Sequence, residues 1–486
     1  MSTEETVGAV ERPIEGEGAT LRRTIGPGEA RRGRPLPDPA ECQRQAERML
    51  SLALRAGADG AEVLVRDGRE LEVKVRMGEP ELVKEAGSRG LGLRVLKQHR
   101  AAVTYTSDFS DAGLERLARD SVELALLSEP EPLADLPRPE TLARELPDLG
   151  LWDDRVTELD VPEAIRWARL GEAAALKSDA RVTNSEGAVF GRSMGASAFA
   201  TSAGFSGSFR GTNLSFSVMP VCDDAGGKKR SGVAWTASRY LKELVDPEAV
   251  GLDAARRTRA KLGARKIATC EVPVVFSPDA ARGLLGQLAS VMSGGAVWRR
   301  STYLAEREGT PVASSLCDVV DDPLLPRAAG SRPYDGEGIA TRTNVLVAAG
   351  ILRMFLCDTY AARKLGRQST GSAGRGVGGG PHVTTSNLIL RPGKTPAREL
   401  ERLERGLYVT DLMGFGFNGV TGDFSQGAAG FWIERGERAF PVSEITVSAS
   451  FDELWKGIDA VGDDLDTRSS ILTPSFRTAR MTVGGT

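Results

Sequence analysis

Residues 406–448 constrain the fold more than any other part of this chain, because short apolar runs alternate there with glycine at nearly every bend. Leu407 and Val409 are two positions apart, a period that is typical of strands with one buried face. Glycine supplies the positive φ that tight turns require, and the Arg435-Gly436 pair is placed to reverse the chain. The segment therefore predicts an antiparallel strand meander.

Length and composition limit the possible number of domains, the fold class and the kinds of partner. The chain has 486 residues, of which 41% are hydrophobic and 27% are charged, so it is long enough for two domains with large cores. Its 56 glycines favour turns and β structure. The formal charge of -3 gives no basic footprint, so direct binding of nucleic acid is not expected.

The chain has the sequence features of a cytoplasmic protein. Its first residues contain no basic region followed by an apolar stretch, and no apolar run approaches the ~18 residues of a membrane helix. The five cysteines never form a CxxC pair, which predicts reduced, mostly buried thiols. We therefore expect a cytoplasmic location and no membrane partner.

The pattern along the chain predicts an α+β fold with two domains. Residues 1–37 mix charged residues with glycine and proline and predict a disordered extension. Residues 38–265 predict an N-terminal α+β domain with a strand-rich middle segment, and residues 266–486 a glycine-rich domain dominated by strands. Helices are predicted from Asp38 to a stop at Gly57 and near 112–127, 162–176, 278–292 and 451–458. Strands are predicted at 61–66, 70–76, 82–86, 90–96, 101–105 and 272–276, as long paired strands over 182–221, and as a hairpin of 345–347 with 351–355.

Three short motifs match catalytic or nucleotide-binding patterns but lack their context. Two GxGxxG matches, at Gly374 and at Gly414, do not lead into a helix, and a dinucleotide loop needs that helix N-terminus. Ser193 lies in a GxSxG match, but the surrounding pattern is strand to strand, whereas a nucleophile elbow joins a strand to a helix. We interpret all three as loops, bulges or strand bends.

Histidine is scarce, which limits the chemistry that the chain can perform. His99 and His382 are the only two histidines, so the sequence has no HExxH helix and no Cys/His cluster for zinc. Acidic pairs such as Asp463-Asp464 are typical of solvated turns. The residues alone therefore predict neither a catalytic centre nor a metal site.

Several long motifs resemble the TldD/PmbA family, whose members are also called modulators of DNA gyrase. In the C-terminal half these are VVFSPDAARGLLGQLASVMSGGAVWRRSTYL, YDGEG, TYAARKLGRQSTGSAGR, GLYVTDLMG, VTGDFSQGAAGFWIE, FPVSEIT and AVGDDLDTRSS. The N-terminal segment AEVLVRDGRELEVKVRMGEPELVKEAGSRGLGLRV also fits. Only the first ~37 residues and parts of the middle segment lie outside the resemblance.

The resemblance implies a cytosolic zinc metallopeptidase with two related subunits that acts on unfolded or short peptides. The TldD-type subunit carries a HExxxH helix and a cysteine ligand near its C-terminus. Here the corresponding positions are Gln287, Leu288 and Met292, and no cysteine follows Cys357. The chain therefore resembles the TldE (PmbA) type of subunit, which has no catalytic residue or metal of its own. Zinc and activity are expected only with a TldD-type partner.

The resemblance also indicates where a peptide or partner cleft would lie. The glycine-rich segments 369–380 and 414–423 are expected to leave backbone groups open to an extended peptide, although turns alone would also require these glycines. Polar residues inside the family motifs are the candidates for the cleft: Ser301, Thr302, Arg363, Lys364, Asp423 and Ser425.

Two other functions remain open at this point. The chain could be a stand-alone homodimeric binding or scaffold protein of the same fold that has left proteolysis. It could also be an enzyme with a new centre, for instance at Ser193 or at a cysteine. A gene neighbour that encodes a HExxxH-containing relative would favour the paired peptidase.

Overall fold

A single seven-stranded antiparallel sheet fills the first half of the chain, in a computed structural model that describes residues 36–485. Its strands follow the order β3-β2-β1-β4-β5-β6, and β7 also pairs with β5. They are β1 (Gly60–Arg76), β2 (Glu79–Lys97), β3 (Arg100–Thr106), β4 (Val182–Thr201), β5 (Phe205–Asp223), β6 (Lys229–Ser231) and β7 (Ala234–Ser238). The extension predicted at residues 1–37 lies, up to residue 35, outside the described residues.

The predicted division of this region into four short strands before residue 97 was wrong. β1 and β2 are 17 and 19 residues long, and their ladder passes through Gly68 and Gly87 with unbroken register. On its other side β1 also pairs with β4, which places Gly195 opposite Gly68. The glycines do not end the strands, because ladder pairing holds them extended, on both sides at Gly68 and on the β1 side at Gly87.

Helices cover one face of this sheet. They are α1 (Pro39–Arg55), α2 (Asp111–Leu127), α3 (Arg155–Glu158), α4 (Val161–Lys177) and α5 (Pro247–Ala260). α1 and α2 pack on Val63 and Val65, whereas α4 and α5 pack on Leu71 and Val73, and these side chains alternate along one face of β1. Four of these helices, α1, α2, α4 and α5, begin at side-chain caps, as at Asp160, which accepts a hydrogen bond of 2.9 Å from Glu163 N.

The second half of the chain contains three further sheets. Their strands are β8 (Cys270–Phe276), β9 (Val319–Asp321), β10 (Asn344–Ala348), β11 (Ile351–Leu352), β12 (Ala373–Gly374), β13 (His382–Val383), β14 (Leu388–Leu390), β15 (Arg405–Met413), β16 (Asp423–Glu434), β17 (Glu437–Ser450), β18 (Ile458–Val461), β19 (Ile471–Leu472) and β20 (Phe476–Gly484). The six-stranded sheet has the order β17-β16-β15-β8-β20-β18, and an additional β17–β20 pairing closes five of its strands into a ring. A five-stranded sheet, β11-β10-β9-β14-β19, and the β12-β13 pair complete this half.

The remaining α-helices lie between these strands. They are α6 (Pro278–Val291), α7 (Gly294–Trp298), α8 (Thr359–Lys364) and α9 (Phe451–Lys456). Short 3-10 helices occur in the first half at Pro139–Thr141, Ala225–Gly227 and Leu241–Glu243, and in the second half at Ala397–Glu401. The largest apolar core joins α6 to the six-stranded sheet. Among the described residues, no helix combines the length and the apolar character that crossing a membrane demands.

The structure confirms the α+β class and the antiparallel meander, which is formed by β15, β16 and β17. The hairpin predicted at Ala349-Gly350 joins β10 to β11, although β11 is only two residues long. Residues from Pro37 onward form one compact unit. A domain boundary between residues 265 and 266 therefore stays a prediction.

Candidate functional site

Helix α6 and its C-cap residue contain the three positions that correspond to the HExxxH motif: Gln287, Leu288 and Met292. It begins at Ser277, whose side chain accepts a hydrogen bond from Ala280 N, and proline occupies its first position. Apolar side chains at helical spacing, among them Leu284 and Leu285, hold it against the six-stranded sheet. The direction of each side chain at the end of this helix is thus fixed by the core.

The three positions that correspond to the HExxxH motif, at which no metal is expected, face different environments. Leu288 and Met292 are completely buried in the apolar core. Gln287 is half-buried, and its Oε1 atom is enclosed without a hydrogen-bond partner. Met292 follows α6 as its C-cap residue, and its backbone N–H donates to Leu288 O at 3.2 Å. This part of α6 is therefore a packing surface with one amide at its edge.

The chain after α7 returns to the end of α6. The Thr302 hydroxyl donates to Val291 O at 2.8 Å and is itself buried. Ser301 Oγ donates to Ala296 O at 3.2 Å, and Tyr303 N donates to Gly419 O at 3.0 Å. Residues 301–303 therefore connect the end of α6 to the loop at 414–423.

The loop at 414–423 borders a surface groove of about 530 Å³. A side chain at Gly416 would meet the carbonyl oxygen of Ser425, whose N–H donates to Gly416 O at 2.7 Å, so this crossing requires glycine. Phe417 packs on Phe451 at 4.4 Å, whereas Phe415 is fully exposed at the rim. The polar lining of the groove comes from Asn418, Asp423, Ser425, Ser448, Ser450 and Thr482.

Arg363 and Lys364 lie elsewhere, on α8, and bind the proline-rich segment 128–148. The Arg363 guanidinium donates to the carbonyl oxygens of Leu133 at 3.0 Å and Asp135 at 2.7 Å, and also to Leu136 O. Lys364 Nζ forms a 2.8 Å ion pair with Glu131. The structure thus brings Ser301, Thr302, Asp423 and Ser425 to one region and leaves Arg363 and Lys364 outside it.

Segment 369–380 is seated on the first sheet. Arg375 forms a buried ion pair with Glu62 of β1, and Gly92 of β2 lies directly beneath Val377 O. Gly378 packs against the ring of Tyr105. Segment 369–380 therefore lies against the first sheet, and Gly92 of β2 permits this close contact between the two halves of the chain.

Comparison with known proteins identifies the family. Models of the PmbA/TldA metallopeptidase match residues 61–125 (domain 1), 154–262 (central domain) and 269–485 (C-terminal domain). The chain is also 36% identical to metalloprotease PmbA of Escherichia coli O157:H7, over 92% of this chain and 97% of that protein. This chain belongs to the PmbA/TldD family of metallopeptidases.

Solved structures of the PmbA/TldD family have the same fold. The crystal structure of a putative modulator of DNA gyrase from Bacteroides thetaiotaomicron matches with a TM-score of 0.86 and 26% identity, over 92% of this chain and 99% of that chain. TldE from Thermococcus kodakarensis matches with a TM-score of 0.81 and 22% identity, over 91% of this chain and all of that chain. The second likeness concerns the fold alone.

The residues at the metal-site positions do not fit the zinc that a PmbA/TldD metallopeptidase implies. Zinc in proteins takes imidazole, thiolate and carboxylate ligands. The three positions on α6 offer an amide, an isobutyl group and a thioether, and the last two are inside the core. Within residues 36–485, His, Cys, Asp and Glu nowhere form a group of three or more that could hold a metal ion.

The motif matches that lacked context also have structural explanations. Ser193 lies within β4, opposite Glu70 of β1 and Asn213 of β5, so it is an ordinary strand residue and not an elbow. Gly374 belongs to the short strand β12, and Gly414 lies in the loop after β15. His382 is exposed on β13, and His99 lies in the turn between β2 and β3.

A buried acidic cluster escaped the sequence analysis. Asp335 and Glu337 lie in the family motif at 334–338, and both are almost inaccessible to solvent. Burial raises the pKa of Glu337 to about 8, and the charges of Asp335, Glu62 and Asp358 add to this effect. The two acids alternate with glycine in the sequence, which is typical of a solvated turn, so their burial was not expected. The only signal in the sequence was that both acids lie in YDGEG, one of the motifs that resemble the family.

Proposed function

We propose that this chain is the subunit without its own zinc in a two-subunit TldD/TldE-type metallopeptidase. Its partner is a TldD-type subunit with a HExxxH helix, and that partner holds the zinc. The chemistry at the end of α6 carries the proposal: the chain belongs to a family of metallopeptidases, yet at the positions that correspond to the HExxxH motif Leu288 and Met292 are core residues and Gln287 is an amide. The enzyme acts in the cytosol on unfolded or short peptides.

The role of this chain is to complete the chamber around the metal of the partner. The groove beside loop 414–423 supports this role, because its hydroxyl and backbone groups suit an extended peptide better than a compact ligand. Asp423 and Ser425, which line the groove, are the candidate contacts, and Ser301 and Thr302 hold the neighbouring chain at the end of α6. A chamber of this kind selects unfolded chains by access, since a folded protein is too wide to enter.

Co-expression with a HExxxH-bearing relative from the same genome tests the proposal. We expect the two chains to purify together and to cleave an unstructured peptide, with activity that a chelator abolishes and zinc restores. Each chain alone is expected to be inactive.

A matched control replaces the glutamate of the partner's HExxxH motif by glutamine. This variant is expected to form the same complex and to cleave nothing, which separates assembly from catalysis. The proposal is overturned by a stable homodimer of this chain that cleaves peptides without a partner. Tight, stoichiometric zinc on this chain alone contradicts it as well.

A further inference from the structure

The surface groove at the start of β16 has a polar lining that three neighbouring strands supply. In the pairing register, Ser425 of β16 lies opposite Ser448 of β17, and Ser448 lies opposite Thr482 of β20. Asp423 and Ser450 form the next pair on the same face of β16 and β17. Side chains at such cross-strand positions are neighbours on one face of a sheet. Four hydroxyl groups and one carboxylate therefore line the groove together.

The carboxylate in this lining has no cationic partner. Asp423 is the only charged residue among the described residues that line the groove. Its side chain accepts a hydrogen bond of 2.6 Å from the Thr421 hydroxyl, and no lysine or arginine within residues 36–485 forms an ion pair with it. The groove thus presents one negative charge that the chain itself does not neutralise.

Charged side chains on the adjoining segments do not change this balance. Three basic residues there have acids of their own, in the pairs Arg480–Glu271, Arg307–Asp452 and Lys456–Asp452. Arg299 and Arg300, which precede residues 301–303, form no ion pair with Asp423 in the described part of the chain. Glu453 is exposed and accepts a hydrogen bond of 3.4 Å from Ser450 N, so it adds a second negative charge beside the groove.

An aromatic ring stands at the rim of the same groove. Phe415 is fully exposed, although its backbone is held on both sides. Gly414 O accepts a hydrogen bond of 3.2 Å from Gln426 Nε2, and Gly416 O accepts one of 2.7 Å from Ser425 N. The ring is therefore presented to solvent by a fixed backbone. Aromatic side chains in such positions supply large contact areas to a bound group.

A ring and an unpaired carboxylate in one groove are complementary to a basic side chain. Lysine and arginine combine an apolar stem with a cationic head, which a ring face attracts and a carboxylate pairs. The chain already holds one of its own arginines in this way. The Arg438 guanidinium lies 3.7 Å from the centroid of the Tyr408 ring and pairs with Glu401 at 2.6 Å. An acidic group in the groove would instead be repelled by Asp423.

We propose that this groove binds peptide segments that carry a basic side chain. Asp423 pairs with the cationic head, and Phe415 covers the stem. This inference rests on the proposed function, in which the groove faces peptide substrates, and it names the class of those substrates. Because both contacts are open to water, each is expected to change affinity by no more than about fivefold.

Fluorine NMR of the full chain, without a partner, tests the inference. Fluorophenylalanine is placed at position 415, and blocked glycine-serine peptides with one central arginine, leucine or glutamate are titrated. The arginine peptide is expected to shift the resonance most and the glutamate peptide least. Asp423→Asn and high salt should each remove this preference. Asp120→Asn, at an exposed position on α2, is the matched control and should keep it.

Three outcomes of the titration overturn the inference. The first is an unshifted resonance at millimolar arginine peptide, and the second is an equal shift with the arginine and glutamate peptides. The third concerns the source of the cation, since an amino-terminal ammonium shares the chemistry of a basic side chain. If a leucine peptide with a free amino terminus binds as tightly as the blocked arginine peptide, the groove does not recognise a side chain.

Peptide cleavage by the two-subunit enzyme tests the same contacts in the assembled site. Asp423→Asn and Phe415→Leu are each expected to raise KM for the arginine peptide relative to the leucine peptide, by up to about fivefold. Asp120→Asn should leave that ratio unchanged. If Asp423→Asn instead abolishes co-purification and leaves the preference intact, the carboxylate contacts the partner and the inference is overturned. A pair that cleaves no peptide contradicts the proposed function alone, because the fluorine titration needs no partner.

Discussion

Arg363 is a polar residue in a family motif, and its structural partners argue for a role in the fold. Its guanidinium binds three carbonyl oxygens in segment 128–148, which is otherwise attached by few backbone bonds. Arg363→Ala is therefore expected to reduce the free energy of unfolding by about 2–3 kcal/mol, since hydrogen bonds to charged groups contribute about that much. Thermal unfolding of the isolated chain measures the change.

Arg353→Ala is the matched control for this substitution. Arg353 is exposed, and surface substitutions of this kind change stability by about 0.5 kcal/mol or less. An Arg363→Ala chain with unchanged stability, but with lost peptide cleavage in the complex, would show that Arg363 contacts the substrate. That outcome would support the prediction that Arg363 lies in the peptide cleft.

Replacing glycine by alanine is expected to lower stability in a strand that is closely covered by another segment and to raise it on the exposed face of a helix. A Cβ atom at Gly92 would lie 2.0 Å from Val377 O, so Gly92→Ala must displace segment 369–380 from β2. We expect a loss of about 1–3 kcal/mol, as for other overpacked sites, together with faster proteolysis of this segment. Denaturant unfolding and limited digestion measure the two effects.

The control for this prediction lies on α6. Gly283 is exposed within the helix and a Cβ atom there meets nothing within 4 Å, so Gly283→Ala is expected to stabilise the chain by about 0.5–1 kcal/mol. Equal effects of the two substitutions would contradict the seating of residues 369–380 on β2.

Helices were predictable from the sequence because their signals are local. Asp160 and Ser277 cap α4 and α6, directly before the helices predicted near 162–176 and 278–292, and a cap is a signal within a few residues of the helix it starts. Strand limits were less predictable, because Gly68 remains extended through pairing with β2 on one side and with β4, more than 100 residues away, on the other. Local propensity does not contain that information.

The candidate site was also only partly predictable, because its contacts join residues that are far apart in the sequence. The sequence located the helix with Gln287, Leu288 and Met292, but only packing reveals which of these side chains enter the core. The partner of Lys364, Glu131, is 233 positions away, and no local pattern indicates this pair. Glu337 was hidden for the same reason, because its burial depends on β1 and α8 together.

The contact between the first sheet and residues 334–380 determines whether the whole chain unfolds as one unit. Residues from Pro37 onward are compact, and Arg375 supplies a buried cation to Glu62 at the contact between the two halves. We expect the wild type to give a single calorimetric transition near neutral pH. Two separate wild-type transitions would instead indicate independent domains, as a boundary near residue 265 predicts.

Arg375→Ala is expected to separate that single transition into two. The substitution leaves Glu62 with Arg94 alone, and breaking a buried ion pair costs about 3–5 kcal/mol. Because this energy belongs to the contact and not to either core, the first sheet and the C-terminal sheets should then melt separately. Arg116→Ala, on the exposed face of α2, is the control and should retain one transition. A single, unshifted transition in Arg375→Ala would show that the apolar packing around Tyr334 couples the two halves without the ion pair.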